Sequence, residues 1–374
     1  MKKFSEYISP VKNKILILAI VLFSVVVFGQ NNQNDEYFKS KEIIKELDSI
    51  VNPNGIQESF FANIGGIKQW INVRGKDKNN PIIIFIHGGP ASPLSAVSWT
   101  YQRALEEYFT VVNYDQRGAG KTYRANDTLA LGKTMHIDTF VDDALEITRL
   151  ITQKYKQKKV FLTGHSWGTI IGLKAAVKAP QWYYAYIGIG QIITMQENEK
   201  LSYEYGLKMA NEKNNTEALK ELQSIYPYPG NQPVTRERII IARKWPQYYG
   251  GLSAYRNNNF YYFNAPLLYP EYTIDDAEAI GLGSLFTLEK VMDEFLNFDF
   301  SKVKSLSIPV IMLLGRHDYT TPTLPVIKWM NQLKAPMKKN IWFENSAHLI
   351  PVEEPGKMLL TFVNEIRPIV LKKY

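Results

Sequence analysis

The chain has 374 residues, 45% hydrophobic and 21% charged, enough for one large domain with an insertion or for two domains. It contains no cysteine, so disulfides, thiolate zinc sites, a cysteine nucleophile and a lipid-modified cysteine at the leader junction are excluded. The formal net charge is +8, but Lys2, Lys3, Lys12 and Lys14 against Glu6 supply about three of those charges; no dense Lys/Arg run follows, so no nucleic-acid partner is expected.

The first 14 residues are basic. Residues 15–29 are apolar apart from Ser24, and a polar stretch follows. A run of about 15 apolar residues is short for a spanning helix and suits a secretory leader. The expectation is a signal peptide over 1–30, cleaved to leave an exported protein, periplasmic or secreted. The alternative is an uncleaved anchor that holds the protein to a membrane through residues 15–29.

Residues 36–51 have apolar residues near helical spacing and predict an amphipathic helix lying on the main domain. Residues 60–64 and 68–73 predict two antiparallel strands joined at Gly65-Gly66. Residues 81–86, PIIIFI, are continuously apolar, as for a strand buried on both faces, and run into His87-Gly88-Gly89-Pro90. The next buried strand, 109–114, runs into Asp115-Gln116-Arg117-Gly118. A helix is predicted over 134–156 and strands over 160–163 and 184–189. This alternation argues for a parallel α/β sheet with helices on both faces. From 191 to 306 the character changes to charged helix (197–224), a YPYPG break at 226–230 and an aromatic-rich tract. That segment predicts a helical insertion. Strand character returns at 308–314 and 340–343, with helices over 324–333 and 354–370.

The chemistry centres on Gly164-His165-Ser166-Trp167-Gly168, which fits G-x-S-x-G, the pattern of a strand turning sharply into a helix with its serine lifted out. A serine hydroxyl is a weak nucleophile and needs a base, which in turn needs an orienting group. His348 follows the last predicted strand and Asp318 the one before it. Ser166, Asp318, His348 is therefore the chain order of a nucleophile, acid and base at the carboxyl ends of parallel strands. Each has a plainer alternative: Asp318 could cap the turn through Thr320-Thr321-Pro322, and His348 could be an exposed loop residue. An oxyanion needs backbone donors, for which the N–H of Trp167 and that of Gly89, or failing it Gly88, are the candidates. His87, His165 and His317 are read as positional and His136 as a surface residue. Gly118-Ala119-Gly120-Lys121-Thr122 imitates the end of a phosphate loop, but Asp115 stands where the pattern needs glycine and the residues after Thr122 look loop-like. No metal site and no cofactor are expected.

HGGP, DQRGAGKT, GHSWGT, GRHDYTTP and ENSAHLIPVEEP together resemble the prolyl iminopeptidase family of α/β-hydrolases, over about residues 63–368. The resemblance implies an α/β-hydrolase fold: a mostly parallel eight-stranded sheet with helices on both faces and a helical cap after the sixth strand. The expected division is a core over 31–190 and 307–374 with the cap over 191–306. It implies Ser166 as nucleophile, Asp318 as orienting acid and His348 as base. The implied activity is an aminopeptidase acting on short peptides or amides through an acyl-enzyme; an esterase or amidase with the same residues is the alternative. A third reading, from another class, is a non-catalytic binding protein on a hydrolase scaffold. The partner is a small molecule or short peptide. The chain departs from the family at Ala91, where a further glycine is usual. The family also holds the substrate's amino group with cap glutamates. Candidates here are Glu197, Glu199 and Glu204, whose alternative role is a solvated helix face.

Overall fold

The structure, a computed structural model, describes residues 35–230 and 234–372, so the leader expected over 1–30 lies outside it. Eight strands form one sheet in the order β1-β2-β4-β3-β5-β6-β7-β8. They are β1 (Ile56–Ile64), β2 (Ile67–Gly75), β3 (Ile82–Ile86), β4 (Thr110–Tyr114), β5 (Val160–His165), β6 (Tyr183–Ile189), β7 (Val310–Gly315) and β8 (Lys338–Phe343). β1 and β2 form the expected hairpin, longer than the sequence suggested, with Gly65 and Gly66 both at positive φ (55° and 77°) in its turn. β2 also pairs antiparallel with β4, and β3 to β8 are parallel.

The apolar runs bury both faces of this sheet. Ile82, Ile84 and Ile86 point into one core layer, while Ile83 and Phe85 point into the other. The first layer is covered by α2 (Ile137–Lys154) and α3 (Trp167–Lys178), the second by Phe109, Phe362 and the C-terminal turns. The helix expected over 354–370 is shorter: α9 in the numbering below (Pro355–Thr361) passes into a π turn and a 3₁₀ turn. Pro368, which has no N–H to continue an α-helical ladder, lies at the start of the 3₁₀ turn.

Before the sheet lies α1 (Phe38–Asp48). Its apolar residues do not dock as expected: Ile43 and Leu47 are exposed. Lys41 is the buried residue, bonded to the Tyr272 carbonyl (2.9 Å) and paired with Asp35 (2.6 Å).

Between β6 and β7 the chain is helical: α4 (Met195–Glu212), α5 (Thr216–Ser224), α6 (Arg236–Pro246) and α7 (Ile274–Leu296). The single helical stretch expected over 197–224 is divided between α4 and α5. Asn214 takes φ 50° and Asn215 caps α5 through the Ala218 N–H (3.0 Å), so these two residues end one helix and start another. Tyr203, Leu222, Tyr228, Ala242 and Trp245 form a separate small core among α4–α6. After β7 comes α8 (Thr323–Gln332), and α9 follows β8. Of the residues after Thr122 expected as loop, Tyr123 and Arg124 close a short helical turn (Gly120–Arg124), while residues 125–127 are non-helical.

Arg117 ties the sheet to α2. It is fully buried and grips Asp143 with two bonds (2.8 and 2.9 Å), with a third to Thr134 Oγ1 (2.6 Å). Removing one member of such a pair strands the other charge away from water. Arg117→Met is expected to lower unfolding free energy by about 3–5 kcal/mol, read from denaturant midpoints. A loss below about 1 kcal/mol would show that Asp143 finds other solvation.

Candidate active site

Ser166 stands between β5 and α3 with φ 54° and ψ −125°, a conformation that costs a side-chain-bearing residue about 1–3 kcal/mol. The turn is held because only glycine fits on either side. A Cβ on Gly164 would lie 2.6 Å from the Gly168 carbonyl oxygen, and one on Gly168 would lie 2.1 Å from the Ile86 oxygen. The Ser166 N–H donates to the Ile189 carbonyl (3.0 Å), which pins the elbow to the end of β6.

Beyond β7, Asp318 is buried and accepts four bonds. Oδ1 takes the N–H groups of Thr320 (3.0 Å) and Thr321 (2.7 Å), while Oδ2 takes the Thr321 hydroxyl (2.8 Å) and His348 Nδ1 (2.9 Å). One carboxylate thus both holds the Thr320–Thr321 turn and meets the His348 ring. His348 is buried as well, not an exposed loop residue. With its Nδ1–H donated to Asp318, the Nε2 lone pair is left to take a proton. The ring has room because residue 190 is glycine, at φ 58°: a Cβ there would sit 2.8 Å from His348 Cε1. No hydrogen bond joins Ser166 Oγ to His348 among the described residues.

The remaining histidines divide as the sequence suggested. The His165 ring lies against that of His348 (centroids 4.8 Å apart), and its Nε2 donates to the His348 carbonyl (3.0 Å). Burial, with His348 beside it, lowers His165 to about 3, so it stays neutral. His317 meets the Tyr255 hydroxyl (2.9 Å), and His136 meets Glu294 (2.7 Å) at the surface.

His87 donates from Nδ1 to the Gly88 carbonyl (2.9 Å) and accepts the Gln116 N–H on Nε2 (3.0 Å). Burial lowers it to about 4. The unfolded chain protonates this residue from about pH 6.5 downwards, while the folded chain refuses the proton until about pH 4. Its stabilising share is therefore complete above 6.5 and lost as pH falls through that window, at a cost of roughly 3 kcal/mol. His87→Gln is expected to be spared this loss. Between about pH 7.5 and pH 4 its stability should gain about 3 kcal/mol relative to the unsubstituted protein in urea titrations. A difference that stays constant with pH would refute the buried neutral imidazole.

Neither the Gly89 nor the Trp167 N–H has an acceptor among the described residues. Gly89 has φ 115°, and Gly88 packs so closely that a Cβ would lie 2.8 Å from Ser166 Cβ. Ala91, where the family usually has glycine, is buried at φ 58°, so the loop adopts a positive-φ turn there despite the side chain. Gln116 is the residue that the sequence reading passed over. Its Nε2 donates to the His87 carbonyl (2.7 Å) and its Oε1 accepts the Trp167 indole N–H (3.1 Å), so one buried amide joins the two candidate donor segments. The only sequence signal was its place in DQRG. Asp115 in that same turn is structural: it accepts from Tyr272 (2.6 Å), Ser95 (3.0 Å) and the Lys121 N–H (2.8 Å), and burial pushes it up to about 7.

The three candidate cap glutamates lie on α4 and each has a cationic neighbour. Glu197 pairs with Lys328 (2.9 Å). Glu204 lies near Lys200 (3.8 Å) on an exposed face. Glu199 is buried, bound by Arg243 (2.7 Å) and by the Tyr228 hydroxyl.

Residues 81–182 match the family model described as the alpha/beta hydrolase fold. The chain is 29% identical over 306 residues to a Bacillus subtilis (strain 168) protein named probable aminopeptidase YbaC, covering 82% of this chain and 95% of that one. It is 26% identical over 323 residues to a proline iminopeptidase of Heyndrickxia coagulans, covering 83% and 99%. Among solved structures, the proline iminopeptidase of Mycobacterium smegmatis superposes with a TM-score of 0.60 at 16% identity, over 84% of this chain and 99% of that one, a likeness of fold. Sheet, elbow and comparisons together give the chain the α/β-hydrolase fold, and in sequence it is similar to the proline iminopeptidases.

Proposed function

We propose that the protein is a serine hydrolase working by acyl transfer. Ser166 attacks a carbonyl, His348 takes its proton and returns it to the leaving group, and Asp318 holds the imidazole in the tautomer that can do so. Water then releases the acyl group by the same route. The observation that carries this reading is the buried Asp318–His348 bond (2.9 Å), at the sheet edge where the Ser166 elbow stands. The Ser166–His348 link would close when substrate binds, as catalytic hydrogen bonds commonly tighten only in the complex. The N–H groups of Gly89 and Trp167, without an acceptor among the described residues, support an oxyanion site between them.

The names of the relatives favour a short peptide or amino-acid amide with a free amino terminus as substrate. The pairing of Glu197, Glu199 and Glu204 favours the second reading, a small ester or amide without an ammonium group, since none of the three is left without a cation. A paired assay separates them. Proline naphthylamide and a p-nitrophenyl ester of a short fatty acid are offered to the purified protein. Turnover of the ester alone excludes the peptidase. If neither is cleaved and a fluorophosphonate leaves Ser166 unlabelled, the hydrolase mechanism falls and a binding protein on this scaffold remains. Export by way of the leader is part of the same proposal, and the intact mass of the mature protein tests whether residues 1–30 are lost.

A further inference from the structure

The loop that carries His348 is shaped by two adjacent carboxylates at the head of α9. Glu354 Oε2 accepts the Asn345 N–H (3.0 Å) and the Ser346 hydroxyl (2.7 Å). Glu353 Oε2 accepts the N–H groups of Ala347 (2.9 Å) and Leu349 (3.1 Å), the residues on either side of His348. Its other oxygen reaches across to the insertion, where it accepts the Ala254 N–H (2.5 Å). Two residues before Ala254, the Leu252 carbonyl accepts the N–H of His348 itself (3.0 Å). One residue earlier still, the Gly251 carbonyl accepts the N–H groups of Tyr319 and Thr320 (3.1 Å each), next to Asp318. A single stretch of the insertion, residues 251–254, therefore touches the backbone on both sides of the acid–base pair, and Glu353 is the side chain that ties it to the base.

We propose that Glu353 is a positioning residue for His348: it holds the imidazole in line with Asp318 and couples the base to the cap segment at Ala254. The inference rests on the Ser166–Asp318–His348 reading above. The physical requirement is acceptor capacity. Three N–H groups converge on two carboxylate oxygens, each with two lone pairs, and every donor is satisfied. An amide at this position offers one oxygen and turns an NH₂ group towards at least one of the same donors, so either Ala254 or the His348 flank must swing away. Burial holds the Glu353 carboxyl above its usual range, with the three N–H groups pulling it back.

A misplacement of about 1 Å in a catalytic group costs on the order of 100-fold in rate. Glu353→Gln is accordingly expected to lower kcat by about 10–100-fold with KM within about threefold. The probe substrate is whichever of proline naphthylamide and the p-nitrophenyl ester the unsubstituted protein cleaves. The rate of Ser166 labelling by a fluorophosphonate should fall in parallel, because that reaction needs the same base. Glu353→Asp keeps two acceptor oxygens and should recover part of both. A merely structural role would lower the melting temperature and leave kcat and labelling of the folded protein unchanged. If the Gln variant does not fold, the Asp variant carries the test with an intermediate loss. If the unsubstituted protein itself resists labelling, the hydrolase reading fails and takes this inference with it. If that protein labels and the folded variant labels at the same rate, the inference alone is overturned.

Discussion

Turnover by the Ser166→Ala variant is expected to fall by roughly 10⁵–10⁶-fold, the scale of loss when the nucleophile of a Ser-His-Asp constellation is removed. The substitution deletes one oxygen and adds nothing. Alanine meets the same steric demand at φ 54° that serine already meets, so the elbow and its bond to Ile189 should persist. KM should therefore change little, and the fluorophosphonate should leave the variant unmodified. Steady-state kinetics on the substrate that the unsubstituted protein cleaves provide the measurement. A variant that keeps more than about one hundredth of the rate would mean that Ser166 is not the nucleophile.

Asp318→Asn should cost about 10⁴-fold in kcat with the fold intact. Its size exceeds that of one lost hydrogen bond because the damage is to the tautomer. The Thr321 hydroxyl and the N–H groups of Thr320 and Thr321 already occupy this side chain as donors. An asparagine can keep the turn only by leaving its amide oxygen on the Thr320 and Thr321 N–H groups. Its NH₂ group then faces His348 Nδ1, which must become an acceptor, and the ring proton moves to Nε2. The lone pair that should receive the Ser166 proton is lost. The loss should ease as pH rises and hydroxide replaces the base. A variant that retains more than about a tenth of kcat near neutral pH would show that the Asp318–His348 bond does not set the tautomer.

The parts of this site with a local cause were legible in the chain. The elbow was readable because Gly164 and Gly168 have no alternative: a Cβ on either would collide with backbone. Asp318 and His348 were readable because each follows an apolar run, and loops after parallel strands gather on one edge of a sheet. The DQRG turn was visible as a motif but its use was not. That Gln116 joins His87 to the Trp167 indole depends on β3, β4 and β5 lying side by side, in an order unlike that of the chain. Glu353 was invisible for a similar reason. Two of its three donors are within six residues, but the third, Ala254, is 99 residues away in an insertion with no strand pattern to anchor a prediction. The helix expected over 36–51 is present as α1, but its apolar face does not dock, because periodicity marks such a face without saying what covers it; Lys41 anchors the helix instead.

By itself the sequence determined the class of fold, the strand-turn-helix at Ser166 and the placement of Asp318 and His348 after later strands, since these follow from backbone sterics and from short-range alternation of apolar and polar residues. The tertiary structure alone decided that one Asp318 oxygen serves the turn while the other faces His348, that Glu199 is already bound by Arg243, and that the insertion grips the His348 loop through residues 251–254. Each of these is a choice of hydrogen-bond partner between segments far apart in the chain, and such choices are made only when packing has brought the donors and acceptors within about 3 Å of one another.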